Sequence, residues 1–268
     1  MSANNDSIQR TIMVALLLCL VCSIIVAGAA VSLKPLQIQN KLEDKRKNIL
    51  AAAGLLQAGK TIEEQFKQVT TRIVNLESGN YATSTELAEL KLAGYPVETF
   101  DQRRLSKDDK FSESLPGKKD IASIKRLEKY AAVFLVEKDG VVDRIILPVH
   151  GYGLWSTLYG FVALQSDAET IAGLGFYSHG ETPGLGGEVD NPSWKSQWNG
   201  KKIHDTSGSV AIDVVKGKVI SGNAKEMNQV DGLSGATLTS NGVENLMRFW
   251  LGEQGFAGYL ATLKGQGV

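Results

Sequence analysis

The feature that most constrains this chain is an uncharged, largely apolar run near its N-terminus, residues 11–33. At about 1.5 Å of rise per residue, a helix of this length crosses the roughly 30 Å hydrocarbon core of a bilayer. The alternative is a cleaved signal peptide, because Ala27-Gly28-Ala29 fits the small-residue pattern of a cleavage site. The apolar part of a signal peptide is usually only about 7–15 residues, so the run favours a retained single-pass transmembrane helix after a short tail, residues 1–10.

Composition excludes several classes of function. Lys+Arg and Asp+Glu number 29 each, so the chain lacks the basic excess of a sequence-independent nucleic-acid binder, and we expect no nucleic-acid partner. The two cysteines, Cys19 and Cys22, both lie in the apolar run. The rest of the chain therefore offers neither a disulfide framework nor a thiolate metal site.

The pattern of apolar residues predicts an α+β fold: one N-terminal transmembrane helix, then a mostly antiparallel sheet domain with flanking helices. Residues 34–77 predict a helical connector, with a second helix over about 61–76. The charged residues 78–130 predict a variable surface region of the soluble domain. From residue 131 to 264, short apolar runs between glycine turns predict strands, with hairpins at 138–140 and at Lys216-Gly217.

Residues 179–188 form a segment too rich in Gly and Pro for a strand or a helix. Such a loop lets the backbone approach a flat ligand closely. It is not a phosphate-binding P-loop, because the Gly-Lys-Ser/Thr ending is absent, and its context differs from the dinucleotide fingerprint. His179 and Glu181 have side chains that ligate metals, but two ligands make a poor site, so we predict no metal.

A second small-residue loop, residues 231–239, precedes an amphipathic helical pattern. Asn241 and Glu244 have the spacing of an N-cap and capping box at the start of that helix. Backbone N–H groups at a helix N-terminus bind phosphate well, and Thr237 is the hydroxyl best placed there. The alternative is an ordinary glycine turn before an amphipathic helix.

Taken together, the motifs resemble one family. Gly-Tyr-Gly-Leu-Trp at 151–155, His-Gly-Glu-Thr-Pro-Gly-Leu-Gly at 179–186 and Asp-Gly-Leu-Ser-Gly-Ala-Thr at 231–237 follow the apolar run in this order. With the segment at 48–54, Asn-Ile-Leu-Ala-Ala-Ala-Gly, the chain resembles the C subunit of bacterial Na⁺-translocating NADH:quinone reductases over essentially its whole length. The Ser-Gly-Ala-Thr motif alone is also shared with the G subunit of Rnf-type electron-transport complexes. A third alternative is a membrane-anchored module that binds a ligand non-covalently.

The resemblance implies a flavin carrier. In this family the threonine that corresponds to Thr237 carries FMN through a phosphoester bond, which a separate flavin transferase makes from FAD. The chain is then a one-electron carrier within a complex that couples NADH:quinone oxidoreduction to Na⁺ export, with other membrane subunits as partners and with no catalytic residue of its own. The further FMN contacts that we predict are Ser234, Gly235, Ala236, Thr182, Leu185, Gly186, His179 and Glu181.

The resemblance also implies a location in the bacterial inner membrane, with the large C-terminal domain on the periplasmic side. The positive-inside rule points the other way. Only Arg10 precedes the apolar run, whereas the basic residues that follow it are Lys34, Lys41, Lys45, Arg46 and Lys47. Because the cluster at 45–47 lies more than ten residues beyond the run and is diluted by acidic neighbours, we give the resemblance more weight.

Overall fold

The structure, a computed structural model, describes residues 7–138 and 140–265. It contains two compact units, Met1–Asp44 and Lys45–Val268. The helices are α1 (Ile8–Ala52), α2 (Ile62–Phe66), α3 (Ser84–Leu92), α4 (Gln102–Leu105), α5 (Pro192–Ser196), α6 (Thr237–Leu251) and α7 (Ala257–Gly265). The strands are β1 (Val69–Asn75), β2 (Asn80–Tyr81), β3 (Ser112–Ser114), β4 (Arg126–Glu128), β5 (Tyr130–Lys138), β6 (Val141–Tyr152), β7 (Thr157–Gln165), β8 (Ile171–Ser178), β9 (Asp213–Val215) and β10 (Gln229–Asp231).

The first unit contains most of α1, and α1 includes the whole uncharged run. Its side chains over residues 8–41 are exposed, and α1 is long and apolar enough to cross a membrane by length and composition. The N-terminal apolar helix predicted from the sequence is therefore confirmed. The predicted tail falls partly on residues 1–6, which lie outside the described residues, and α1 begins within the remainder at Ile8.

The second unit is built on a six-stranded sheet in the order β2-β1-β5-β6-β7-β8. Every neighbouring pair is antiparallel, which confirms the predicted α+β class. Alternate side chains of a strand point to opposite faces. On β5, Val133 and Leu135 accordingly join the core that contains α6, whereas Ala132 and Phe134 join the core that contains the end of α1.

Two predictions for the first half of the chain differ from the structure. The helix expected over about 61–76 ends at Phe66, and Val69–Asn75 is instead strand β1, paired with β5. Thr70 and Thr71 are β-branched and favour a strand, and pairing with a buried neighbour decides the outcome. Residues 78–130, expected to be a surface region, also contribute to the core through buried side chains: Leu90, Tyr95, Phe100, Leu105 and Phe111.

The two predicted hairpins have different outcomes. β5 and β6 are joined as predicted at 138–140, although Asp139 itself lies outside the described residues. The hairpin predicted at Lys216-Gly217 is wrong, because β9 pairs with β10, and the two strands are parallel. Residues 216–228 are the connection between them. This pairing brings Lys216 next to the second glycine loop.

Helix α6 positions that loop. Its apolar face packs on β6, and Val243, Leu246 and Trp250 are fully buried, as the periodicity predicts. The start of the helix differs from the prediction. α6 begins at Thr237, four residues before the predicted N-cap Asn241, and its N-cap residue, Ala236, provides no side-chain hydrogen bond. Glu244 does not close a capping box and instead accepts a hydrogen bond from the Val214 amide at 3.1 Å.

Candidate functional site

The buried carboxylate of Glu181 joins the three motifs found in the sequence. Its Oε1 accepts hydrogen bonds from the amides of Trp155 at 3.0 Å and Ser156 at 3.3 Å. The Leu154 amide lies 3.2 Å from both carboxylate oxygens. Its Oε2 accepts a hydrogen bond from the Thr239 hydroxyl at 2.6 Å. The loop after β6, the 179–188 loop and the first turn of α6 are therefore fixed to one side chain.

The surroundings of Glu181 favour its ionised form. Burial leaves the side chain 5% exposed and opposes ionisation. The hydrogen bonds from Thr239 and from the amides of residues 154–156 outweigh that effect, so the pKa of Glu181 lies below its ordinary value. Gly153 and Gly186 leave space for the carboxylate, since a Cβ on either would come within 2.8 Å of a Glu181 oxygen.

The loop that precedes Thr237 is held by its own hydrogen bonds. The Leu233 amide donates to Ser240 Oγ at 2.9 Å, and the Ser240 hydroxyl donates to the Ala236 carbonyl at 3.1 Å. Gly235 has φ +71°, a conformation that side chains disfavour. A Cβ at this position would also lie 3.0 Å from Leu185 of the neighbouring loop. The turn into α6 therefore depends on glycine and has a defined path.

Thr237 is the first residue of α6 and is exposed at the edge of a cleft of about 440 Å³. The first amides of an α-helix lack partners within the helix and carry partial positive charge. In the described part of the chain no side chain caps α6. Thr239, by contrast, is fully buried and donates to Glu181. The two threonines of this turn thus differ in access, and only Thr237 presents its hydroxyl to solvent.

Two lysines line the same cleft, and the sequence analysis missed them. Lys216 and Lys218 follow β9 and line the cleft together with residues of the 231–235 loop. The sequence predicted a hairpin turn at residues 216–217, and exposed lysines are common in such turns. Nothing in the sequence therefore indicated that these two lysines belong to a site. The cleft also includes Ser234, Gly235 and Asn241.

The remaining predicted contacts fall into two groups. Leu185 is 44% exposed and lies against Gly235, and Gly186 packs against Thr239 and Glu181. None of the predicted residues of the 179–188 loop is in the lining of the cleft, and His179 and Thr182 bond within their own segment. His179 Nδ1 accepts from the Glu181 amide at 3.2 Å, which leaves Nε2 to bond Asp190 at 2.9 Å. The Thr182 carbonyl accepts from the amide of Gly187, within the loop itself.

These bonds give His179 and Glu181 structural partners. Over residues 7–138 and 140–265, no group of three or more His, Cys, Asp or Glu side chains is arranged to hold a metal ion. What the site presents chemically is an exposed hydroxyl, an uncapped helix N-terminus and two cations around a cleft. That combination suits a ligand with phosphoryl groups.

Comparisons with known proteins agree with this chemistry. A family model described as FMN-binding domain matches residues 153–252, which include all three motifs in whole or in part. The chain is 52% identical to the C subunit of the Na⁺-translocating NADH-quinone reductase of Pseudomonas aeruginosa, over 98% of each chain. It is 46% identical to the protein of the same name from Yersinia pestis, over 97% of this chain and 95% of the relative.

Two solved structures are similar to this fold. The crystal structure of Shewanella oneidensis NqrC has a TM-score of 0.74 and 36% sequence identity, and the match covers 85% of this chain and 99% of that one. The crystal structure of the C subunit of the Na⁺-translocating NADH-quinone reductase from Parabacteroides distasonis has a TM-score of 0.63 and 28% identity, covering 85% and 96%.

Proposed function

The chain belongs to the family of C subunits of Na⁺-translocating NADH-quinone reductases, and on this basis we propose that it is a membrane-anchored, one-electron carrier with FMN bound covalently to Thr237. Its role is within a respiratory complex that couples NADH:quinone oxidoreduction to Na⁺ export. The other membrane subunits of that complex are its partners. A separate flavin transferase attaches the FMN.

The observation that carries this proposal is the contrast between Thr237 and Thr239. Attachment by another enzyme requires a hydroxyl that the enzyme can reach, and Thr237 is exposed at the edge of the cleft. Thr239 is two residues away but is buried and bonded to Glu181. A threonine hydroxyl is a weak nucleophile and needs activation by a base. Because the separate transferase would supply that activation, this chain needs only to make the hydroxyl accessible.

The residues around Thr237 fit the phosphate of FMN. Ser234 and Gly235 line the cleft with the uncapped start of α6, whose amides favour an anion. Lys216 and Lys218 add positive charge. Ala236 contributes through the backbone, since its side chain is buried. Leu185, exposed beside Gly235, is the residue of the 179–188 loop best placed to contact the flavin; Thr182 and Gly186 belong to the same loop, and His179 and Glu181 support it.

When bound, FMN supplies the electron transfer, and this chain positions and retains it. A covalent tether prevents loss of the flavin from an exposed site and fixes it at a high effective concentration. The hydrogen bonds of Glu181 stabilise the turn that contains Thr237, because they join the first turn of α6 to two loops. The chain would thereby hold the flavin in one orientation towards its electron-transfer partners.

A fluorescent gel tests the attachment site. The full chain is co-expressed with a flavin transferase, and the denatured band is viewed under ultraviolet light. We expect fluorescence from the wild type and none from Thr237→Ala, whereas Thr206→Ala, which removes an exposed threonine outside the cleft, keeps the fluorescence. A fluorescent Thr237→Ala band would refute the attachment site. A dark wild-type band that nevertheless releases flavin on denaturation would favour the non-covalent binding module.

We also propose that α1 is a retained anchor in the bacterial inner membrane and that the second unit lies on the periplasmic side. Covalent attachment outside the cytoplasm would retain a flavin that could not be replenished there by free diffusion. A C-terminal alkaline phosphatase fusion, which is active only outside the cytoplasm, is expected to be active. Activity of a cytoplasm-only reporter at the same position would contradict this orientation.

A further inference from the structure

Lys216 and Lys218 are held in a fixed relation to the loop that carries Thr237. The Gly232 amide donates to the Gly217 carbonyl at 2.9 Å, and the Val219 amide donates to Asp231 Oδ1 at 2.8 Å. The two segments approach so closely that a Cβ on Gly232 would lie 2.3 Å from the Val215 carbonyl oxygen. The backbone between the two lysines is therefore bonded directly to the loop that precedes Thr237.

The cleft has a surplus of positive charge. Among the residues that the structure describes, no carboxylate pairs with Lys216 or Lys218. Asp231 is the acidic residue in the cleft lining, and its Oδ1 is already engaged by the Val219 amide. The N-terminus of α6 adds about half a positive charge. Two cations and a helix terminus thus face one carboxylate.

The positive charge of the cleft exceeds the negative charge of FMN attached to Thr237. A phosphodiester on Thr237 carries about one negative charge, whereas the diphosphate of FAD carries about two, as expected for groups of low pKa. Lysine is a common phosphate ligand and acts as a mobile point charge. We propose that Lys216 and Lys218 bind the diphosphate of FAD while the flavin is transferred to Thr237, so that the acceptor chain contributes part of the donor's binding site. The inference rests on the attachment function proposed above.

The transfer is balanced as follows. The Thr237 Oγ1 forms a bond to the phosphorus on the FMN side of FAD. The bond from that phosphorus to the bridging oxygen breaks, AMP leaves with that oxygen, and the hydroxyl proton of Thr237 is lost to the transferase or to solvent. No electron is exchanged. The two lysines would neutralise the charge that moves onto the departing phosphate.

The test measures initial rates of flavin attachment to the full chain in detergent, with purified transferase and varied FAD. For the double variant Lys216→Ala, Lys218→Ala we expect the KM for FAD to rise about tenfold, and each single variant to give about threefold. The double variant with Arg at both positions should have a KM for FAD close to that of the wild type, because it keeps both positive charges. Lys225→Ala is the matched control, since Lys225 is exposed on the same connection but outside the cleft.

The outcomes separate this inference from the function on which it rests. If the wild type carries FMN on the Thr237 peptide by mass spectrometry but the double alanine variant has an unchanged KM for FAD, the lysine inference is wrong and the attachment site stands. An equal rise in the KM for FAD in Lys225→Ala would also overturn the inference, because the rise would then reflect the overall charge of the chain and not the two lysines of the cleft. If the wild-type Thr237 peptide gains no FMN, the proposed function itself fails. Circular dichroism of each variant checks that these exposed substitutions leave the fold unchanged.

Discussion

Replacing Glu181 by Gln tests how far one buried carboxylate holds the site together. Gln keeps the size of the side chain but removes its charge, and it presents an NH₂ group where Oε2 now accepts from Leu154 and Thr239. Hydrogen bonds to a charged acceptor contribute about 1.5–3 kcal/mol, against about 0.5–1.5 kcal/mol for neutral pairs. With several donors converging on Glu181, we expect the free energy of unfolding to fall by about 2 kcal/mol.

The loss is measured by thermal unfolding of the full chain at pH 7, followed by circular dichroism. A change of about 2 kcal/mol corresponds to a fall in Tm of roughly 4–8 °C for a domain of this size. Glu253→Gln is the control, because Glu253 is exposed. Equal Tm values for the two variants would refute the reasoning, since the hydrogen bonds to Glu181 would then contribute nothing measurable.

The same variant has a distinct dependence on pH. Because the folded-state pKa of Glu181 lies below 4.5, its contribution is fully present above that unfolded-state value and is lost as pH falls through the folded-state pKa. The difference in stability between the wild type and Glu181→Gln should therefore be largest near neutral pH and shrink in acid. A difference that stayed constant down to acid pH would indicate a loss of packing and not of charge.

Two further predictions concern the fold that supports the site. Gly242→Ala places a Cβ 2.5 Å from the Tyr152 carbonyl oxygen, and we expect a loss of about 1–3 kcal/mol in chemical denaturation, against little change for Gly117→Ala, where nothing lies within 4 Å. Burial raises the pKa of Glu128 to about 7, so its folded form binds a proton that the unfolded form releases above 4.5, and stability falls as pH rises between those values. Glu128→Gln should therefore be more stable than the wild type at pH 8 by about 2 kcal/mol in urea unfolding, and an equal gain at pH 4 would contradict the titration.

Features that depend on neighbours in sequence were predictable. The uncharged run at 11–33 predicted the apolar part of α1, because hydropathy and length are local properties. The strands from β5 to β8 followed from short apolar runs between turns, and the buried face of α6 followed from its 3.6-residue period. The 179–188 segment was predicted to be a loop from its Gly and Pro content. Both glycine loops became a candidate site mainly through the family resemblance.

Features that depend on distant partners could not be predicted from local patterns. Residues 69–75 became a strand because β5, far along the chain, offered a buried edge on which to pair. The start of α6 moved from Asn241 to Thr237, since the Glu181 hydrogen bond to Thr239 and the close approach of Leu185 to Gly235 fix that turn. A short stretch of sequence carries no information about contacts with residues that are distant in the chain.

The position of Thr237 between a small-residue loop and a helix was already present in the order of the residues. Its surroundings came from folding: a carboxylate 58 residues away in sequence from its partner Thr239, and two lysines brought to the cleft by the parallel pairing of β9 with β10. The local chain places a hydroxyl after a small-residue loop and before an amphipathic helix, because composition and periodicity depend on adjacent residues. Which hydroxyl is exposed and where α6 begins depend on the contacts from residues 181 and 185. The electrostatic environment of that hydroxyl is instead a sum over charges that are distant in sequence, and only the folded chain brings them together.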